Sequence, residues 1–408
     1  MSKFSRRNFM KFALSSTLAL AATKAKSDNM SIKNYIEHYR QKYKSDPGPK
    51  DFIREQENPN ITNPPNTDNG TLPNLRYSFS DAHIRKYSGG WTRQITQREL
   101  GIAATIAGVN MRLNYGGIRE LHWHKESEWA YMIYGNARVT ALDNEGNWFI
   151  DDVEVGDLWY FPPGIPHSIQ GIGSDGCEFI LAFDSGLFDE ESTFLLSDWF
   201  KHIPSEILAK NFNVSASTFN KLPSPNDRYI FSGNVNGNLS SNFINKSTKS
   251  NNIFTYKMLS QKPIIASAGK VRIVDSSIFL ISKTISAALI EIEPGGIREL
   301  HWHPNNDEWQ YYIEGVGRMG VFASSGHSRT FDYRAGDVGY VPFAMGHYIE
   351  NTGESTMKFL ELFNSNYYAD ISLNQWLANT PNSLLKQHLN FNKNFINSLS
   401  VKKNPIVK

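Results

Sequence analysis

Nine residues, GGIRELHWH, occur twice in this chain, at Gly116–His124 and at Gly295–His303. Identity of that length, separated by roughly 180 residues, marks a duplicated domain, because solenoid repeats run to about 20–50 residues. The string also fixes local geometry. Two histidines at i and i+2 on a β-strand point to the same face, so each copy can offer two imidazoles to one metal ion.

The chain continues each copy into a fuller ligand set. His122 and His124 are followed by Glu128, and His167 arrives after the turn Pro162-Pro163-Gly164-Ile165-Pro166. In the second copy the corresponding residues are His301, His303, Glu308 and His347. Six of eleven histidines thus fall into two equivalent sets, each with a carboxylate. Three neutral imidazoles and one carboxylate leave a divalent ion one net positive charge, and octahedral coordination would keep two positions open. Such a mixed set suits Mn(II) or Fe(II) better than tetrahedral zinc.

Short β-like runs surround these residues, Trp129–Leu142 and Asp157–Phe161 in the first copy, Trp309–Ala323 and Asp337–Pro342 in the second. Each copy closes on a Trp with a Pro five residues later, Trp199/Pro204 and Trp376/Pro381, which reads as a short helical tail with Pro in the first turn of a helix. The expected organisation is an N-terminal arm over 26–75, a first domain over 76–232, an Asn/Ser/Gly-rich linker over 233–252 and a second domain over 253–408.

Residues 1–25 read as an export signal. Ser5-Arg6-Arg7-Asn8-Phe9-Met10-Lys11 has the twin-arginine pattern, and the apolar stretch Phe12–Ala22 is too short to span a bilayer. Twin-arginine export handles folded, often metal-loaded proteins, so the expected location is periplasmic or secreted, in a bacterium. Cleavage would remove five cations and no acid from a formal charge of +2, leaving −3. This balance gives no case for nucleic-acid binding, and no segment argues for a membrane. The single cysteine, Cys177, excludes an internal disulfide and cysteine-based zinc or iron–sulfur sites.

The residues also carry a family resemblance. Gly116-x5-His122-x-His124-x3-Glu128-x6-Gly135 matches the first cupin motif, and Gly156-x5-Pro162-x-Gly164-x2-His167 matches the second. Gly295-x5-His301-x-His303-x4-Glu308-x6-Gly315, then Gly336-x5-Pro342, His347 and Asn351, repeat the pair, with Ala344 where the motif has Gly. The implied fold is all-β dominated, with two jelly-roll cupin barrels, each with a short helical tail. ELHWHKESEWAYMIYG, WYFPPGIPHSIQG, YVPFAMGHYIENTG and SLNQWLA together resemble the bicupin oxalate decarboxylases over roughly residues 50–395.

That resemblance implies conversion of oxalate to formate and carbon dioxide, manganese at two sites per chain, and dioxygen as co-catalyst. It implies Arg119 as the substrate-polarising cation, with Arg298 its equivalent. In a regular strand Arg119 would face away from His122, unless the Gly116-Gly117 turn intervenes. The resemblance assigns Glu190 to a mobile lid as the proton-transfer carboxylate, with Thr193 placed to fix the lid when closed. The family lid reads Ser-Glu-Asn-Ser, whereas here Asp189 and Glu191 flank Glu190 and add like-charge repulsion. Glu361 falls where the family has a second-site carboxylate. A homo-oligomer, trimer or hexamer, and the twin-arginine machinery are the implied partners. Trp123 and Trp302, between ligand histidines, are candidates for stacking or electron transfer, or simply for packing.

Three competing functions remain. Oxalate oxidase would use the same site to make hydrogen peroxide; Glu190 argues against it, because decarboxylation must return a proton to carbon. A non-enzymatic metal-binding bicupin shares the architecture but often loses ligands. A germin-like superoxide dismutase is disfavoured by the double length and the glutamate lid.

Overall fold

The computed structural model describes residues 52–225, 228–235 and 248–408. The signal segment 1–25, most of the arm and the middle of the linker lie outside the described residues. The chain divides into two units. Of the first, residues 1–63, the described part forms two short helices, Phe52–Glu57 and Pro59–Thr62. The second, residues 64–408, holds two β-barrels of the same design.

The runs WAYMIY and LWYF are apolar at nearly every position because both strand faces are buried. In Glu128–Leu142, Trp129 and Tyr131 join a core shared between the barrels, whereas Ala130 and Met132 point into barrel one. Leu158 and Tyr160 alternate in the same way with Trp159 and Phe161. Period-two alternation sends successive side chains to two different cores. The second copy repeats this: Trp309, Tyr311, Val338 and Tyr340 face the shared core, Tyr312 and Val341 the interior of barrel two.

One strand shows a difference between the copies. Glu128–Leu142 runs continuously and joins the two walls of barrel one. Its counterpart, expected as one run over Trp309–Ala323, divides into Glu308–Glu314 and Val316–Phe322 at Gly315, whose φ is +81°; the continuous strand carries Gly135, with φ +68°, at the same point. A left-handed backbone there suits glycine.

The barrels exchange edge strands. Arg76–Ser78 pairs with Asp337–Val341 of barrel two, Arg76 reaches Asp337 at 2.7 Å, and Leu75 is buried in the core of barrel two. Thr255–Lys257 pairs with Asp157–Phe161 of barrel one, Lys257 reaches Asp157 at 2.6 Å, and Phe254 enters the core of barrel one. Residues 69–78 therefore lie along barrel two, and each barrel is closed by a strand that precedes the other in sequence. Covering a sheet edge in this way removes unpaired backbone groups.

The two copies of the repeated string are likewise held on their outer edges. Ile230–Ser232 pairs with Gly117–Trp123, and Ile406–Val407 with Ile297–Trp302. The tails are helical at Leu196–Lys201 and Ser205–Phe212, and at Leu373–Ala378 and Asn382–Leu389. Pro204 and Pro381 stand at the N-caps, one position before the expected first turn.

Candidate metal centres and the lid

The strand Gly117–Trp123 does not keep regular alternation. Arg119 lies opposite Ile169 and His122 opposite His167, so three steps on one strand match two on the other. This bulge turns Arg119 to the interior face shared by His122, and it recurs between Arg298 and His301. An extra residue re-aims a side chain without interrupting the sheet, which resolves the opposite-face expectation for Arg119.

The side chains of His122, His124, Glu128 and His167 converge, with candidate ligand atoms all within 4.8 Å of one another, and those of His301, His303, Glu308 and His347 do the same. All eight are buried. Every imidazole is oriented from behind. Nδ1 of His122, His124 and His167 lies 2.5, 2.7 and 2.8 Å from the carbonyls of Glu120, Glu126 and Ile165. Nδ1 of His301, His303 and His347 lies 2.6, 2.8 and 3.0 Å from those of Glu299, Ala369 and Met345. A carbonyl can only accept, so Nδ1 carries the proton and Nε2 turns its lone pair inward. Burial, then the neighbouring arginine, holds His122 and His301 well below the ordinary histidine pKa, in the neutral form a metal needs.

These residues fit a divalent cation. Nε2 of His301 is buried without a hydrogen-bond partner among the described residues, and Nε2 of His303 and His347 crowd Glu308 Oε2 at 3.1 and 2.8 Å. Orphaned buried polar atoms are costly unless something binds them.

Behind the ligands the copies differ. Trp159 Nε1 donates to Glu128 Oε1 at 2.8 Å. In barrel two the donor to Glu308 Oε1 is Gln310 Nε2, at 2.7 Å. The register explains the change: Ala130 pairs with Trp159, and Gln310 with Gly339. Small faces large in both cases, with the roles reversed. A Cβ on Gly339 would lie 2.4 Å from Gln310 Oε1.

The two arginines differ more. Arg298 is fully buried and answered by Glu361 at 3.2 Å and Asp370 at 2.7 Å, with Tyr368 Oη at 2.8 Å. Glu361 is therefore an ion-pair partner of Arg298 in the wall of the second site. Arg119, 3% exposed, has no carboxylate partner among the described residues. Its guanidinium lies over the ring of Tyr229, 3.8 Å from the centroid, and donates to the Tyr229 carbonyl at 3.4 Å.

Glu190 lies on a short 3-10 turn, Glu190–Ser192, and is 2% exposed. Its Oε1 accepts from Thr92 Oγ1 and from Tyr229 Oη, both at 2.8 Å, and its Oε2 pairs with Arg85. Burial keeps the Tyr229 phenol well above its ordinary pKa, so it stays a donor. Arg119, His122, His124, Glu128, Glu190, Thr193 and Tyr229 line one cavity of about 10 Å³, barely the room for a single water. The lid is closed over the first site.

Asp189 caps its own turn, accepting from Glu191 N at 3.1 Å, and Glu191 points to solvent. The two flanking carboxylates are thus directed away from the cavity. Thr193 Oγ1 is buried with no hydrogen-bond partner among the described residues, and Thr92 makes the bond to Glu190. Trp123 stacks on Phe194 and meets Trp199 edge-on at 5.5 Å; Trp302 meets Trp376 at 5.6 Å. Arg85, Thr92, Tyr229 and Gln310 carried no motif, and Trp159 stood in WYFPPGIPHSIQG without an assigned role. The signal that finds them is comparison of the two copies in register.

A barrel pair with three histidines and one glutamate converging in each half defines a bicupin metalloprotein. The cupin family model, described as "Cupin", matches residues 77–220 and 256–397. Oxalate decarboxylase OxdC of Bacillus subtilis is 54% identical over 361 residues, covering 88% of this chain and 93% of the relative. A probable oxalate decarboxylase of Arthroderma benhamiae is 41% identical over 85% of this chain and 86% of its own. The solved structure of the B. subtilis enzyme at pH 4.6 superposes with a TM-score of 0.85 at 54% identity, covering 88% of this chain and 94% of that one. Another structure of that enzyme, from work on its Mn(II) centres, gives 0.86 at 53% identity over 88% and 96%. The chain belongs to the bicupin oxalate decarboxylase family.

Proposed function

We propose that the protein is an exported oxalate decarboxylase whose barrel-one site does the chemistry. One observation carries the choice of site. Glu190 and Arg119, which meets no carboxylate among the described residues, share a closed cavity with the first ligand set, whereas Arg298 is already neutralised by Glu361 and Asp370.

Hydrogen oxalate becomes formate and carbon dioxide: the C–C bond breaks, carbon dioxide leaves, and the proton lost from the acid ends on the remaining carbon. His122, His124, Glu128 and His167 would hold manganese, the metal named for the B. subtilis relative, which with dioxygen supplies a reversible one-electron oxidant for the substrate. Arg119 binds the substrate's negative charge in a dry site, where a fixed guanidinium acts most strongly. Glu190 takes the substrate's proton and returns it to carbon. Tyr229 and Thr92 hold that carboxylate in place, and the closed lid keeps out water that would supply competing protons.

The Arg298–Glu361 pair supports a structural or electron-storing second manganese site over a second turnover site. The twin-arginine segment supports export to the periplasm or beyond. Exposed Trp199 and Ile207 on one tail and Trp376 and Leu384 on the other support a homo-oligomer, trimer or hexamer.

The test is product analysis from oxalate by the manganese-loaded protein, with and without dioxygen. One formate per carbon dioxide, dependent on dioxygen, supports the reading. Two carbon dioxide with one hydrogen peroxide, and no formate, would make it an oxidase. Neither product would leave a non-enzymatic metal-binding bicupin.

A further inference from the structure

The lid carboxylate is held by a wall that only one barrel possesses. Arg85 lies on the edge strand Arg85–Tyr87, opposite Thr92 in the register, and both side chains bind Glu190. The equivalent edge of barrel two pairs Ile264 with Val271. Tyr229, next to Ile230 opposite Arg119, has Pro405 as its counterpart, next to Ile406 opposite Arg298. Three polar groups that receive a carboxylate thus stand where the other copy has Ile, Val and Pro. Duplication otherwise preserved the ligands, the bulge and the arginine, so this difference follows the lid.

We infer that Arg85, supported by Thr92, is the catch of the Glu190 lid, a positioning residue that holds the carboxylate against the cavity it shares with Arg119. The cavity of about 10 Å³ cannot hold a hydrogen oxalate ion, so the catch must release for substrate to enter and re-form around it. Arg85 is part-buried, its side chain 20% exposed, and burial works against its charge while Glu190 and nearby tyrosines more than compensate. The same guanidinium lies 3.7 Å from the solvent-facing Glu191. Glu191 can therefore keep Arg85 paired when Glu190 leaves, which gives a function to the chain's departure from the family's Ser-Glu-Asn-Ser lid.

This inference rests on the proposed reaction for its consequence but not for its geometry, and two readouts separate them. The first is hydrogen exchange of residues 185–194 in the intact manganese-loaded protein. Arg85→Gln and Thr92→Val should speed exchange there by about tenfold while Gly117–Trp123 exchanges as before, and Arg85→Lys should restore most of the protection. The second is the ratio of formate to peroxide from oxalate, which should fall at least fivefold in Arg85→Gln at unchanged metal content and recover in Arg85→Lys. Unchanged lid exchange in Arg85→Gln would overturn the catch. Faster exchange with an unaltered product ratio would overturn its part in the reaction. If the wild type makes neither product yet Arg85→Gln loosens the lid, the proposed reaction fails and the catch stands.

Discussion

The two buried arginines should answer the same substitution in opposite ways. Arg298→Met leaves Glu361, which is fully buried, without its cation, and leaves Asp370 with Lys403 alone. Breaking a buried pair from one side costs about 3–5 kcal/mol, because the remaining charge stays desolvated. Arg119→Met removes a guanidinium held by an aromatic face and a long bond to a carbonyl. The cation–π contact is worth about 2 kcal/mol when desolvated, and removing an unpaired buried charge offsets part of that. The expected gap in unfolding free energy is about 3 kcal/mol, with Arg298→Met the less stable. Activity should run the other way. Loss of a preorganised group at the reacting charge costs about 10²–10³-fold in rate, so Arg119→Met should nearly abolish formate production. Arg298→Met should stay within several-fold of wild type per folded molecule. Urea unfolding followed by tryptophan fluorescence, with formate release at saturating manganese, measures both quantities. Equal stability losses, or an Arg298→Met protein as inactive as Arg119→Met, would refute the reasoning.

Glu190→Gln loses the base and the charge that pairs with Arg85, so peroxide should rise at the expense of formate in a coupled peroxidase assay; an unchanged ratio would remove Glu190 from proton transfer. Cys177 is buried and its thiol is pushed up to about 12 by desolvation, so the thiolate is scarce below that pH. A thiol reagent at pH 8 should leave the native protein unlabelled over an hour and label one thiol per chain in urea. Chelation should lower the thermal midpoint, because a ligand at about 1,000 times its Kd contributes about 4 kcal/mol to the folded state. Exchanging the paired residues, Ala130→Gln with Trp159→Gly, should preserve metal content, whereas Trp159→Gly alone should cost roughly 3–5 kcal/mol through the cavity it leaves. Calorimetry and metal analysis check these last two expectations.

The ligand sets were legible because their chemistry is local. His122, His124 and Glu128 are neighbours in sequence, and period-two geometry predicts where the two histidines point. Arg119 was harder to place, because its direction depends on a bulge set by the partner strand at Ile169 and His167. The lid's surroundings were out of reach by local reading: Arg85 and Thr92 meet Glu190 from about 100 residues away. Strand exchange was hidden for a related reason. Residues 64–75 read as the end of a polar arm and 76–78 as the start of the first domain, and only tertiary pairing with Asp337–Val341 gives Leu75 and Tyr77 their place. Local pattern specifies what a strand presents, but an edge is chosen by whichever barrel offers unpaired backbone.

The central claim is that identical metal-binding strings serve unequal sites, and disabling one site at a time tests it most directly. His167→Asn and His347→Asn proteins, matched for folding by circular dichroism, should each retain manganese in the untouched barrel. Formate released from oxalate per bound manganese should persist in the His347→Asn protein and fall by at least 100-fold in the His167→Asn protein. Equal activity in the two, or formate from His167→Asn alone, would contradict the assignment of the chemistry to barrel one.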